Sequence, residues 1–162
     1  MQKHFPWKDA PGTAWGAGII ITSVLLTDQL TKLIVYKKLF PEESIDLIEK
    51  FFSITLVCNT GTAFGLFKGN TTVFIYSSLF ASIYLAILLF SRRLFIKRTQ
   101  ISTAGLSLIL GGALGNLIDR IRYGFVIDFL DFKIWPVFNL ADSAITVGVV
   151  ILCYNLLMTK AE

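Results

Sequence analysis

Residues 99–120 read TQISTAGLSLILGGALGNLIDR. No charged residue lies between Thr99 and Ile118, a run close to the roughly 20 residues that cross a bilayer as a helix. The run then closes on Asn116, Asp119 and Arg120 within about one helical turn. This pattern predicts a transmembrane helix with a polar cluster at one end. Working outward, equally bare stretches lie between Ala10 and Thr27, between Gly69 and Ser91, and between Ser143 and Thr159. The chain therefore reads as an all-α membrane protein, a bundle of four transmembrane helices at about 14–36, 71–90, 101–121 and 140–158.

Composition agrees with this reading. Of 162 residues, 54% are hydrophobic and only 16% charged, a balance rare in soluble domains of this size. The whole chain, residues 1–162, is expected to form a single integral membrane domain. The first apolar stretch lacks a short core followed by a small-residue cleavage site, so it reads as a retained helix rather than a cleaved signal peptide. The net charge of +4 does not point to nucleic acid, because Lys and Arg form no stripe and no aromatic interleaving. Arg92, Arg93, Lys97 and Arg98 fill the short link between the second and third spans. Lys3, Lys8 and Lys160 lie near the termini. With four spans these segments share a side, and the positive-inside rule makes it cytoplasmic.

The segment from Lys37 to Gly69 is too polar to span. Its first part, with Pro41, Glu42, Glu43, Asp46 and Glu49, reads as a surface loop with a helical turn. Phe51 to Cys58 is rich in β-formers and reads as a strand. Asn59-Thr60-Gly61 signals a turn, and Thr62 to Phe67 reads as a returning strand. A small β element at about 51–67 is thus expected on the outer membrane surface. Residues 122–139 link the last two helices. Cys58 and Cys153 are too far apart along this layout to meet, and two lone cysteines make no metal motif. His4 is the only histidine, which excludes a buried histidine triad.

The helix directions gather the polar residues. Helix one puts Asp28 and Lys32 near its outer end, and helix three does the same for Asn116, Asp119 and Arg120. Asp128 and Asp131 lie in the outer link, and Asp142 opens helix four. Ionisable groups at membrane depth are costly and are usually paired or functional. Asp28 has Lys32 four residues on, and Asp119 has Arg120 beside it or a neighbouring helix. Asp128 and Asp142 have no cation three or four residues away. Side by side, two such carboxylates would share one proton and activate water against an amide. The structural alternative is that Asp128 caps a turn and Asp142 caps helix four. Asp131 reads as a surface residue. Gly111 and Gly115, with Ala144 and Gly148, form small-xxx-small pairs that would bring helices three and four together.

Five segments carry a resemblance. They are Asp28 to Lys32 (DQLTK), Asn59 to Gly65 (NTGTAFG), Gly111 to Arg120 (GGALGNLIDR), Val126 to Phe129 (VIDF) and Phe138 to Ser143 (FNLADS). In order and spacing they resemble the motifs of the bacterial lipoprotein signal peptidases, or signal peptidase II. The resemblance implies an aspartic endopeptidase of the bacterial inner membrane. It implies cleavage of signal peptides from prolipoproteins already carrying diacylglycerol on the cysteine after the cut. Asp128 and Asp142 match the catalytic pair. Asn59, Gly61, Asn116, Asp119, Arg120, Asn139, Asp28 and Lys32 match positions that bind substrate or order the site. Asp119 is as strong a motif aspartate as Asp128; Asp128 is preferred because Arg120 offers Asp119 a partner. Implied partners are the lipidated precursors, membrane lipids and globomycin-like inhibitors, with the chain acting as a monomer. No metal or organic cofactor is expected. The alternative is a small ion or solute transporter with an aspartate relay, which would spread polar residues through the membrane depth. Here they collect at one end, and helix two carries no charge.

Overall fold

The computed structural model describes residues 12–61, 71–91 and 99–159. Four helices, each long and apolar enough to cross a membrane, dominate it: α1 (Gly12–Lys38), α2 (Thr71–Phe90), α3 (Gln100–Tyr123) and α4 (Leu140–Thr159). Between them lie three short strands, β1 (Ser44–Ile48), β2 (Phe52–Asn59) and β3 (Val126–Asp131). The strands form one antiparallel sheet in the order β1-β2-β3.

α3 is the centre of the bundle and packs against each of the other three helices. Most of its length is buried, whereas α1, α2 and α4 turn large apolar side chains outward, among them Leu26, Ile34, Phe80, Val150 and Leu157. In lipid there is little hydrophobic drive between helices, so close backbone approach has to hold them. Glycines on α3 and α4 provide it; Gly148 meets α3 as expected, but against Gly105 rather than Gly111 or Gly115. A Cβ on Gly148 would lie 2.6 Å from the Gly105 carbonyl oxygen, and one on Gly112 would collide with the Ala141 carbonyl oxygen. Gly111 instead faces Val24 and Ile21 of α1, and Gly115 faces Asp28. The reason is helical period. Gly105 and Gly112 stand seven residues apart on the face toward α4, while Gly111 and Gly115 lie four apart on the face toward α1. We expect Gly112→Ala to cost about 1–3 kcal/mol by overpacking. A thermal melt in detergent should fall by several degrees, while Gly124→Ala should act through backbone conformation instead.

α3 begins with a reciprocal capping box between Thr99 and Ser102. It ends at Gly124, whose φ of 79° suits glycine and whose N–H donates to the Arg120 carbonyl at 3.1 Å. The chain then turns directly into β3. The alternation of β3 sends Ile127 and Phe129 into an apolar cluster with Val35, Leu39 and Leu56. Asp128 therefore points the other way.

Two sequence readings need correction. Residues 44–48 are strand, not loop with a helical turn: Ser44 and Asp46 register against Thr55 and Ser53 of β2. All five residues are exposed, so no buried face marked them in sequence. Residues 126–131 are likewise strand rather than simple link. The strand expected at Phe51–Cys58 is β2, whereas the return strand expected at 62–67 lies outside the described residues.

Candidate active site

α4 starts with Asn139 as its N-cap. The Asn139 Oδ1 accepts from the Asp142 N–H at 2.9 Å, and the Asp142 Oδ2 accepts from the Asn139 N–H at 3.3 Å. This reciprocal pair satisfies two amide groups of the first turn. Asp28 on α1 takes a third, its Oδ1 accepting from the Ala141 N–H at 2.9 Å. The carboxylate is thus set against the positive end of α4. Gly115 makes room for it, because a Cβ there would lie 2.5 Å from the Asp28 Oδ2.

Behind this turn sits a buried ammonium. Lys32, 1% exposed, donates to Asp28 at 2.9 Å, to Asp119 at 2.8 Å and to the Asn116 Oδ1 at 2.9 Å. Three acceptors match its three protons. Gln29 braces the same cluster, donating to Asp119 at 2.9 Å and to the Gly115 carbonyl at 3.2 Å. Asp119 in turn accepts from the Ile127 N–H of β3 at 3.2 Å. Among the described residues the ion-pair partner of Asp119 is therefore Lys32 on a neighbouring helix, the second of the two partners the sequence left open, and not the adjacent Arg120. Consecutive helical residues point about 100° apart, so adjacency in the chain separates the two side chains. Arg120 turns toward α2. It donates to the Ser78 hydroxyl at 3.3 Å and lies 5.6 Å from the centre of the Phe74 ring.

Asp128 and Asp142 line one cavity of about 290 Å³. Asn59, Gly61, Asn116 and Arg120 share its wall with them. Each carboxylate is held by amides. Asp128 accepts from Asn139 Nδ2 at 2.6 Å and from Asn59 Nδ2 at 2.8 Å. Asp142 accepts from Asn116 Nδ2 at 2.8 Å. The Asn59 amide is oriented in its turn by the Gly61 N–H, which donates to its Oδ1 at 3.0 Å. Burial pushes the Asp128 carboxyl up from its ordinary 3.8 to about 7; the Asn59 and Asn139 donors oppose the rise, and the Asp142 charge adds to it.

The expected site residues thus divide in two. Asn59, Gly61, Asn116, Arg120, Asp128 and Asp142 border the cavity. Asp28, Lys32, Asp119 and Asn139 stand behind it as a buried network. Several neighbours were not anticipated. Trp135, Pro136, Val137 and Phe138 form an apolar wall, and Ile145 and Thr146 of α4 also border the cavity. The apolar run from Ile134 to Phe138, in a link otherwise rich in charge, was the signal available in sequence; in the structure Trp135 is 63% exposed and Ile134 87%. Asp131 is not simply a surface residue. It accepts from Thr55 at 2.9 Å and from the Lys133 ammonium at 2.8 Å, bracing the sheet. Among the described residues no group of three or more His, Cys, Asp or Glu is placed to hold a metal ion.

Comparison with known proteins bears on the family and the fold. The family described as Signal peptidase (SPase) II matches residues 20–158. The chain is 48% identical over 139 residues to a lipoprotein signal peptidase of Moorella thermoacetica, covering 86% of this chain and 91% of the relative. It is 45% identical over 134 residues to one of Halothermothrix orenii, covering 83% and 90%. A solved bacterial membrane enzyme superposes with a TM-score of 0.80 at 32% identity, covering 90% of this chain and 89% of that one. With nearly its whole membrane region matched in sequence and in fold, this multi-pass chain belongs to the signal peptidase II family of aspartic peptidases.

Proposed function

We propose that this protein cleaves signal peptides from diacylglyceryl-modified prolipoproteins in the bacterial inner membrane, with Asp128 and Asp142 as the catalytic pair. The observation that carries the reading is the shared cavity, in which both carboxylates are held by asparagine amides. Asp142 serves as the base. It stands in the first turn of α4 and borders the cavity with no cation in its own turn. Asp142 takes a proton from water, the water attacks the scissile carbonyl, and protonated Asp128 polarises the carbonyl oxygen. The proton then passes to the leaving amine as the tetrahedral carbon collapses. Arg120, bordering the same cavity, is suited to hold a carbonyl of the unwound peptide.

The substrate suits this location. A signal peptide is an apolar helix and its modified cysteine carries acyl chains, so both partition into lipid. Its backbone amides are internally bonded until it unwinds, and the asparagines on the cavity wall offer replacement partners. The basic link at Arg92, Arg93, Lys97 and Arg98 supports a cytoplasmic position for that side and an extracytoplasmic one for the site. In this reading the chain acts as a monomer. A globomycin-like cyclic peptide would compete for the same cavity. The test is cleavage by the purified protein of a precursor with and without diacylglycerol. We expect a cut immediately before the modified cysteine and no cut in the unmodified precursor; equal cleavage of both would refute the assignment.

The pH profile offers a separate check. Activity that needs Asp128 protonated falls as pH rises through about 7. Asn59 donates to that carboxylate and favours its ionised form. Asn59→Leu should therefore move the alkaline limb of kcat/KM, which reports the free enzyme, upward by roughly one pH unit. A limb that stays in place would remove Asp128 as its source.

A further inference from the structure

We infer that Lys32, which does not border the cavity, is a positioning residue that fixes the amide orientation of Asn116, so that Asp142 receives an N–H donor from it. The inference rests on the peptidase reading above and goes further by naming what sets the site's polarity.

The argument is one of donors and acceptors. An ammonium has only protons to give. Two of the three on Lys32 go to Asp28 and Asp119, and the third goes to the Asn116 Oδ1 at 2.9 Å. The Asn116 oxygen must therefore face Lys32, which leaves its Nδ2 to point at the Asp142 Oδ1, 2.8 Å away. The same Asn116 oxygen accepts from the Asn139 Nδ2 at 3.1 Å. The Asn139 amide is held this way round by the backbone as well, its Nδ2 donating to the Ile127 carbonyl at 3.3 Å and to the Asp128 Oδ1 at 2.6 Å. Its Oδ1 is left for the Asp142 N–H at 2.9 Å. Flipping Asn116 would set its NH2 group against the ammonium and against the Asn139 NH2, and its oxygen against Asp142. Buried at 7% and 0% exposure, Asn116 and Asn139 have little water to relieve such contacts. The cation thus dictates which way the Asn116 amide faces, and with it the donor that Asp142 receives. Without it, the Asn116 oxygen loses its charged donor, and the Asp142 carboxylate loses a fixed N–H partner.

The experiment is a double-mutant cycle on cleavage of a diacylglyceryl-modified precursor, with kcat and KM measured separately on folded, monodisperse protein. Asn116→Leu breaks the relay and leaves the Lys32 ion pairs in place. We expect Lys32→Met and Asn116→Leu each to lower kcat by roughly 10- to 100-fold with KM little changed. The double variant should lose less than about threefold beyond the weaker single variant, because both cut the same chain. Should Lys32→Met not fold, Asp28→Asn with Lys32→Met preserves the net charge of the buried cluster, and its kcat is read against Asp28→Asn alone. Losses that multiply, or folded protein lacking Lys32 with unchanged kcat, would overturn the inference while leaving the peptidase reading intact. Failure of the unaltered protein to cleave the lipidated precursor would instead sink the peptidase reading, and this inference with it.

Discussion

Asp128→Asn and Asp142→Asn should each lower cleavage of a lipidated precursor by roughly 10³-fold or more, with the protein still folded. An amide has nearly the shape of a carboxylate but neither takes a proton from water nor shares one with a partner. The surroundings tolerate the change unequally. In Asp128→Asn, the new amide offers one acceptor oxygen where the carboxylate now offers two, one to Asn59 and one to Asn139. The stability of this variant should nonetheless depend on pH in a telling way. Asp128 has a folded value of about 7 against an ordinary 3.8, so its contribution to stability is fully present below about 3.8 and is lost as pH rises through about 7. Asp128→Asn removes that alkaline loss. The variant should therefore melt at least about 2 °C higher, relative to the unaltered protein, at pH 8.5 than at pH 5. Heat stability together with inactivity would separate a chemical role from a structural one. Folded Asp142→Asn protein that keeps more than a tenth of the normal rate would end the two-carboxylate mechanism.

The second large effect is on stability. Lys32→Met should cost about 3–5 kcal/mol, because removing one partner strands buried charge. Asp28 and Asp119 are 0% and 1% exposed, and both lie within 2.9 Å of the Lys32 ammonium. With the cation gone, two carboxylates face one another where water has no access. In a chain of this size that loss corresponds to a fall of roughly 6–20 °C in melting temperature. Asp28→Asn combined with Lys32→Met should recover much of it, since the cluster then keeps the same net charge. Melting of Lys32→Met within about 2 °C of the unaltered protein would show that the cluster carries little of the fold's stability.

The spans were legible because a bilayer imposes one rule that needs no tertiary information: charge is excluded over a fixed length. The gathering of polar residues followed from alternating helix direction. What sequence obscured was everything decided by which face meets which. Gly148 packs on helix three as its spacing suggested, yet the helical period turns Gly111 and most of the Gly115 contact to α1 and makes Gly105 and Gly112 the glycines that meet α4. β1 has no buried face and a run of acidic neighbours, so it read as loop. β3 was hidden by its shortness and by a buried aspartate in its middle. The apolar wall from Trp135 to Phe138 carries no periodicity at all.

By itself the sequence determined the number of membrane helices, the end at which the polar groups collect, and the residue types available for proton transfer, since lipid solvation and chain direction act on composition and order alone. Only the tertiary structure decided the partners. Asp119 goes to Lys32 and not to Arg120, Asp28 plugs the start of α4, and the Asn116 and Asn139 amides run from the buried cation to both carboxylates. These pairings depend on the rotation of each helix about its axis. That rotation is set by the glycine contacts of α3, a property of several segments at once that no single stretch of chain contains.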